Sequence, residues 1–435
     1  MEAKPGLIRS MRRGDLIAVV INGVIGAGIF GLPSKAFALA GTYSLVSFGV
    51  CAICVSFIVL SFAQVSSRFS ETGGPYLFAR ESYGWLTGFT VGWLVWLARV
   101  TAFSANCALL PEYLGFFFPT VASGIPRALL VTAVMVALTA VNVRGVRATA
   151  DTANVLAIAK LVPLALFVVA GMFFLKGGNF SWSPVPGYHP FSQSVLLLIY
   201  AFTGFEMACI PAGEARNPER DLPMALTAGM AIVVATYIMI QVVSIGTLAG
   251  LASSSRPLAD AAAAFMGNRG ALLITGGIIF SLGGNLNVLI LSASRLIYAM
   301  ADRGELPRPL AAVHERFRTP AAAVIFTTAI MLLLTLSGTF VYLVTLSVLS
   351  RLIAYFLTCA AVPVLNHRFR TPAGFKLPGG TSIPLAGMAV ILWLLSNATL
   401  REALAVIAAT LAGLAACWLS RRRRGVNSAA EPATF

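Results

Sequence analysis

The chain has 435 residues, 58% of them hydrophobic and only 11% charged, against roughly 45–50% and about 25% in a typical soluble domain, so its composition is that of an integral membrane protein. At about 20 apolar residues per spanning helix there is room for about twelve spans and no soluble domain, which excludes a large-ectodomain receptor, a soluble enzyme and a nucleic-acid-binding domain. The formal net charge of +15 comes from Lys and Arg scattered between apolar runs, not from one basic patch, and reads as topology.

Apolar stretches broken by Pro, Gly and charge predict twelve spans, an all-α membrane fold. The first, 15–40, follows a short basic segment, 1–14, with no small-residue cleavage site after it, so this segment reads as a cytoplasmic N-terminus. Gly23, Gly26, Gly28, Gly31 and Pro33 put too much glycine in this span for an uninterrupted helix. Spans 2 to 5 are expected over 43–67, 85–117, 126–143 and 152–175, with Arg99 in the third and Lys160 midway along the fifth. Span 6, 191–211, repeats the first: Phe191 lies 176 residues after Asp15, and Gly204 lies 176 residues after Gly28. Five spans fill that interval, so the second copy enters from the opposite side and any repeat is inverted. Close packing of small residues such as Gly23 with Ala27, or Ala27 with Gly31, is an alternative for one helix, but it does not account for the matched second break. Spans 7 to 12 follow over 223–251, 271–300, 320–337, 340–365, 383–397 and 402–419, with Arg351 in the tenth. The expected organisation is a first five-span unit over 15–190, a second over 191–382, two further spans over 383–420, and a basic cytoplasmic tail, 421–435.

Of the 31 Lys and Arg, 22 fall in the N-terminal segment, the loops after even-numbered spans and the tail when Arg295 is counted with the loop after span 8, and five in the opposite loops. The positive-inside rule then places both termini in the cytoplasm of a multi-pass protein of the cell inner membrane. The six cysteines lie inside apolar runs, the three histidines lie in loops, and no metal-ligand spacing occurs, so neither metal nor cofactor is expected. Within the spans Glu206 is the one clear mid-depth acid. An enzyme would need a nucleophile with a base or clustered ligands, and a channel would need repeated polar rings; the sequence has neither pattern.

A helix broken inside a membrane exposes amides at the start of its second half and carbonyls at the end of its first. The amides near Ala27, Gly28 and Ile29 suit a carboxylate; the carbonyls near Val24 and over 200–203 suit an ammonium. A ligand carrying both groups close together is an α-amino acid, and paired interrupted spans are a sequence pointer to a transporter's midplane site.

Five segments carry a family resemblance: NGVIGAGIFGLP from Asn22, ETGGPYLFARESYG from Glu71, YAFTGFE from Tyr200, GEARNPERDLP from Gly213 and SRLIYAMADRGELP from Ser294. In this order they resemble the signature segments of the amino acid-polyamine-organocation superfamily. The resemblance implies a five-plus-five inverted repeat like that of the leucine transporter, two extra C-terminal spans, and alternating access around spans 1, 3, 6 and 8. Those spans are also similar to the arginine/agmatine antiporter branch. That likeness implies that the backbone carbonyls of Val24, Tyr200 and Thr203 take the substrate ammonium, that Ala27 and Gly28 take the carboxylate, and that Tyr200 is a gating aromatic. The chain departs from the branch where Ala27 replaces a serine, Asn285 replaces a pocket aromatic and Arg99 replaces a small neutral residue, which argues against a cationic substrate. Lys160 resembles the span-5 lysine of proton-coupled members, whose ammonium stands in for sodium. Glu206 resembles an acid tied to gating or proton linkage, with a structural salt bridge to Arg99 or Arg351 as the alternative. Arg99 is then either that counter-ion or a ligand contact, and Arg351 reads as structural. The expected function is proton-coupled uptake of neutral amino acids, with membrane lipid, proton and a small amino acid as partners. The alternative is an exchanger or a carrier of polyamines or cationic amino acids.

Overall fold

The computed structural model describes residues 8–423 apart from 27, 116–117, 183, 255, 338–339, 370–372, 378 and 397–399. Among them the chain is helical without a strand, and Met11 and Ala215 form an isolated bridge. The helices are α1 (Arg13–Val24), α2 (Gly28–Ala40), α3 (Ser44–Ser66), α4 (Pro75–Tyr83), α5 (Trp85–Leu114), α6 (Gly124–Arg144), α7 (Val146–Met172) and α8 (Tyr188–Ala201). A 3-10 segment, Phe205–Glu214, follows, and then α9 (Pro218–Thr247), α10 (Pro257–Asp302), α11 (Ala321–Ser337), α12 (Phe340–Arg368), α13 (Ser382–Leu395) and α14 (Leu400–Arg423). Every expected apolar stretch overlaps a helix. Seven helical segments among the described residues are long and apolar enough to cross a bilayer.

Both expected breaks are present. The expected first span corresponds to α1 and α2, separated at Ile25, whose ψ of 85° leaves the helical region. The sixth is α8 and the 3-10 segment, separated at Gly204 with φ of 115°, a backbone conformation that glycine adopts without strain. The two breaks cross at van der Waals contact: a Cβ on Gly23 would sit 2.7 Å from the Gly204 carbonyl oxygen, and one on Gly204 would sit 2.9 Å from the Gly23 carbonyl carbon. These two glycines therefore serve the crossing as well as the breaks.

The structure differs from the sequence reading in two connections. The stretch after Glu71 contains α4, which starts with Pro at its first turn after Gly73 and Gly74, both at positive φ, and stops at Gly84, also at positive φ; proline before and glycine after is the usual helix asymmetry. Helix α10 begins at Pro257 and is broken at Gly267, φ 66°, so a short helix precedes the stretch expected as the eighth span.

The lipid-facing surface is explicit on α7, where Val155, Ile158, Val162, Leu166 and Val169 are 48–64% exposed at spacings of three and four that make one stripe. An exposed apolar stripe of this kind belongs against hydrocarbon. Lys160 lies on the opposite, buried face.

Just beyond α10, Glu305 is buried beside Tyr76 and paired with Arg80 of α4. Burial pushes its carboxyl up to about 7, outweighing the Arg80 guanidinium. The folded protein thus holds this proton more tightly than the unfolded chain does. The corresponding stability is full at acid pH and is lost as pH rises through about 7. Glu305→Gln should flatten the fall in apparent melting temperature between about pH 5 and 7; an unchanged slope would place the titration elsewhere.

Candidate functional site

Where α1 stops, its last carbonyls have no intrahelical donor, and the surrounding helices supply donors. Asn285 of α10 donates to Asn22 O at 2.9 Å and Gly23 O at 3.0 Å. Tyr237 of α9 donates to Val24 O at 3.3 Å and to Ala201 O of the second break at 3.4 Å. Lys160 Nζ and Ser281 Oγ donate to Ile25 O at 2.5 and 2.9 Å. One broken segment is thereby gripped by α7, α9 and α10 together.

A compact cavity of about 50 Å³ lies against these breaks. Its wall includes Gly23, Val24, Gly26 and Gly28 from the first span, Ala201, Thr203 and Met207 from the sixth, and Asn285 and Leu289 from α10. Ala102 and Asn106 of α5 and Arg351 of α12 complete it. Asn106 donates to Asn285 Oδ1 at 2.6 Å, so α5 and α10 meet at the cavity through neutral polar groups. The start of α2 at Gly28 presents a helix N-terminus to this space, where amides and the helix dipole favour an anion.

Glu206, next in the chain to the wall residue Met207, belongs to a buried ion pair. Arg99 NH2 lies 3.0 Å from Glu206 Oε1, with both side chains at most 1% exposed. The other carboxylate oxygen accepts from Tyr355 OH at 2.5 Å and from the Gly204 amide at 3.1 Å. Glu206 therefore caps the second break while neutralising Arg99. Arg351 NH1 donates to Thr203 Oγ1 at 3.0 Å.

Of the expected ligand residues, Val24, Gly28, Thr203 and Asn285 line the cavity. Ile29 is buried outside its wall. Ala27 and the Tyr200 side chain lie outside the described residues. Arg99, a candidate ligand contact, instead points to Glu206 and is absent from the wall, because a buried guanidinium takes the nearest carboxylate. Arg351, read as structural, lines the cavity. Sequence reasoning misses Asn106, Tyr237, Ser281 and Tyr355; helical spacing offers a signal for some of them, since Arg99, Ala102 and Asn106 share one face of α5, and Ser281, Asn285 and Leu289 share one face of α10.

Residues 15–413 match the sequence profile of the amino acid permease family. The chain belongs to that family. This permease is 28% identical over 416 residues to the serine/threonine exchanger SteT of Bacillus subtilis (strain 168), covering 92% of this chain and 93% of that one. It is 27% identical over 418 residues to the branched-chain amino acid permease BcaP of the same organism, covering 90% and 88%. A methylthioribose transporter of that organism is 27% identical over 413 residues, covering 89% and 88%. The permease is thus a multi-pass membrane transport protein and not an enzyme.

The space around Gly28 allows a direct test of the site. A Cβ there would meet Leu32 at 3.5 Å and Ala201 at 3.8 Å, ordinary contacts, so the backbone tolerates a small side chain, whereas a leucine fills the cavity. Gly28→Leu should lower substrate affinity by more than about tenfold, which corresponds to 1.4 kcal/mol, while the protein still inserts in the membrane. Near wild-type uptake by this variant would remove the cavity from consideration.

Proposed function

We propose that this permease is a secondary transporter that moves amino acids by alternating access, coupled to protons and independent of sodium. The broken first and sixth spans supply the amide and carbonyl ends that an α-amino acid needs. In this reading the chain spans the inner membrane twelve times, with both termini cytoplasmic and with 15–190 and 191–382 as inverted five-span units. The observation that carries it is the Lys160 amino group on Ile25 O, between α1 and α2, where a removable proton sits one residue from the cavity wall. The activities named for SteT and BcaP support an amino acid as cargo. Arg351 in the wall disfavours polyamines and cationic amino acids, and leaves neutral and acidic ones.

The test is uptake into proteoliposomes containing the purified full chain. Uptake of at least one amino acid without sodium, rising as the external pH falls, is the expected result. A sodium requirement, or transport of no amino acid, would refute the proposal; counterflow without net uptake would replace symport by exchange.

A further inference from the structure

Resting on the reading of this cavity as an amino acid site, we infer that Arg351 receives a second carboxylate of the substrate, so that the preferred cargo is an acidic amino acid. Arg351 is 6% exposed, lies in the wall of the cavity and donates to Thr203 Oγ1. Its Nε has no partner, and no carboxylate lies within 4.0 Å of its guanidinium among the described residues. Among the described residues the acid of this region is Glu206, and it is occupied by Arg99, Tyr355 and the Gly204 amide. Arg99 and Glu206 cancel, and Arg351 remains.

A guanidinium does not shed its proton in a protein, so Arg351 carries a standing positive charge in the membrane interior, where an unpaired charge is costly. A zwitterionic amino acid brings no net charge to offset it. A ligand with one ammonium and two carboxylates does. The two carboxylates also have separate receivers on different elements, the N-terminus of α2 at Gly28 and the guanidinium on α12, while the carbonyls between them suit the ammonium. The planar fork of arginine matches a carboxylate in bidentate fashion, which a neutral amide side chain does not reproduce.

The experiment compares acids with their own amides, which are nearly isosteric: L-aspartate against L-asparagine, and L-glutamate against L-glutamine. Binding is read by thermal shift on the purified full chain, and competition is read in proteoliposomes. Wild-type protein should bind at least one acid about tenfold or more tighter than its amide. Arg351→Gln should abolish that preference, and Arg351→Lys, which keeps the charge without the fork, should retain part of it. If Arg351→Gln fails to fold, the wild-type preference together with Arg351→Lys still decides. The inference is overturned if the wild type binds the amides or other neutral amino acids as tightly as the acids, or if Arg351→Gln keeps the acid preference. Transport of neutral amino acids alone would overturn it while leaving amino acid transport standing. Failure to bind or move any amino acid would instead bring down the function reading, and the inference with it.

Discussion

Glu206→Gln is expected to cost more folded protein and more uptake than either Arg99→Gln or the double replacement costs. The pair is 3.0 Å apart and excluded from solvent, and removing one member of a buried pair typically costs about 3–5 kcal/mol because the other charge is left without compensation. The singles should also differ from each other. Glu206→Gln leaves Arg99 and Arg351 both uncompensated, whereas Arg99→Gln leaves Glu206 with Tyr355, the Gly204 amide and the field of Arg351. Glu206→Gln is therefore the most severe of the three, since the double variant leaves Arg351 alone uncompensated, as in the wild type. A double-mutant cycle on apparent melting temperature and uptake should give a coupling of more than about 1 kcal/mol. Simple additivity would mean that the two groups act separately and that the carboxylate serves Gly204 and Tyr355 alone.

The helical breaks are legible from sequence because glycine has a backbone signature that no packing can disguise: Gly23, Gly28 and Gly204 mark the places where α1, α2 and the 3-10 segment start or stop. Charged residues in apolar runs are equally visible, so Arg99, Lys160, Glu206 and Arg351 stand out from the sequence alone. Their partners are not visible. Whether Arg99 meets Glu206 or the cavity depends on how α5 is rotated against the second break, and hydropathy leaves that rotation open when both faces of α5 are buried. Neutral donors are harder still: Tyr237, Ser281 and Asn106 look like ordinary polar residues in a span, and only the convergence of α9 and α10 on the carbonyls of the first break, with Asn106 of α5 bonded to Asn285 there, gives them a role. Helix α4 escapes because its nine residues are too few for an apolar period, and its proline and glycines read first as a loop.

Lys160→Ala is expected to abolish the pH dependence of uptake while leaving sodium-independent exchange. Lys160 Nζ donates to Ile25 O at 2.5 Å, and Gly26 and Gly28, the next glycines along, line the cavity. A charged donor makes a stronger hydrogen bond to that carbonyl than a neutral amine does, so the proton on Lys160 and the geometry of the broken segment are linked. Two conformations that hold the segment differently will hold the proton with different affinity, and that difference is all that coupling requires. A coupling free energy of about 1–3 kcal/mol appears as a roughly 5–150-fold effect of one ligand on the affinity for the other, well within the reach of uptake measured against external pH. Ser281 also donates to Ile25 O, at 2.9 Å, so the carbonyl keeps a partner in the variant and the break need not collapse. Lys160→Met, which fills the space without a removable proton, separates loss of charge from loss of volume: both variants should show flat pH profiles. If both keep the wild-type response, Lys160 is a structural donor to the break, and the proton travels by another group, with Glu206 the next to be tested.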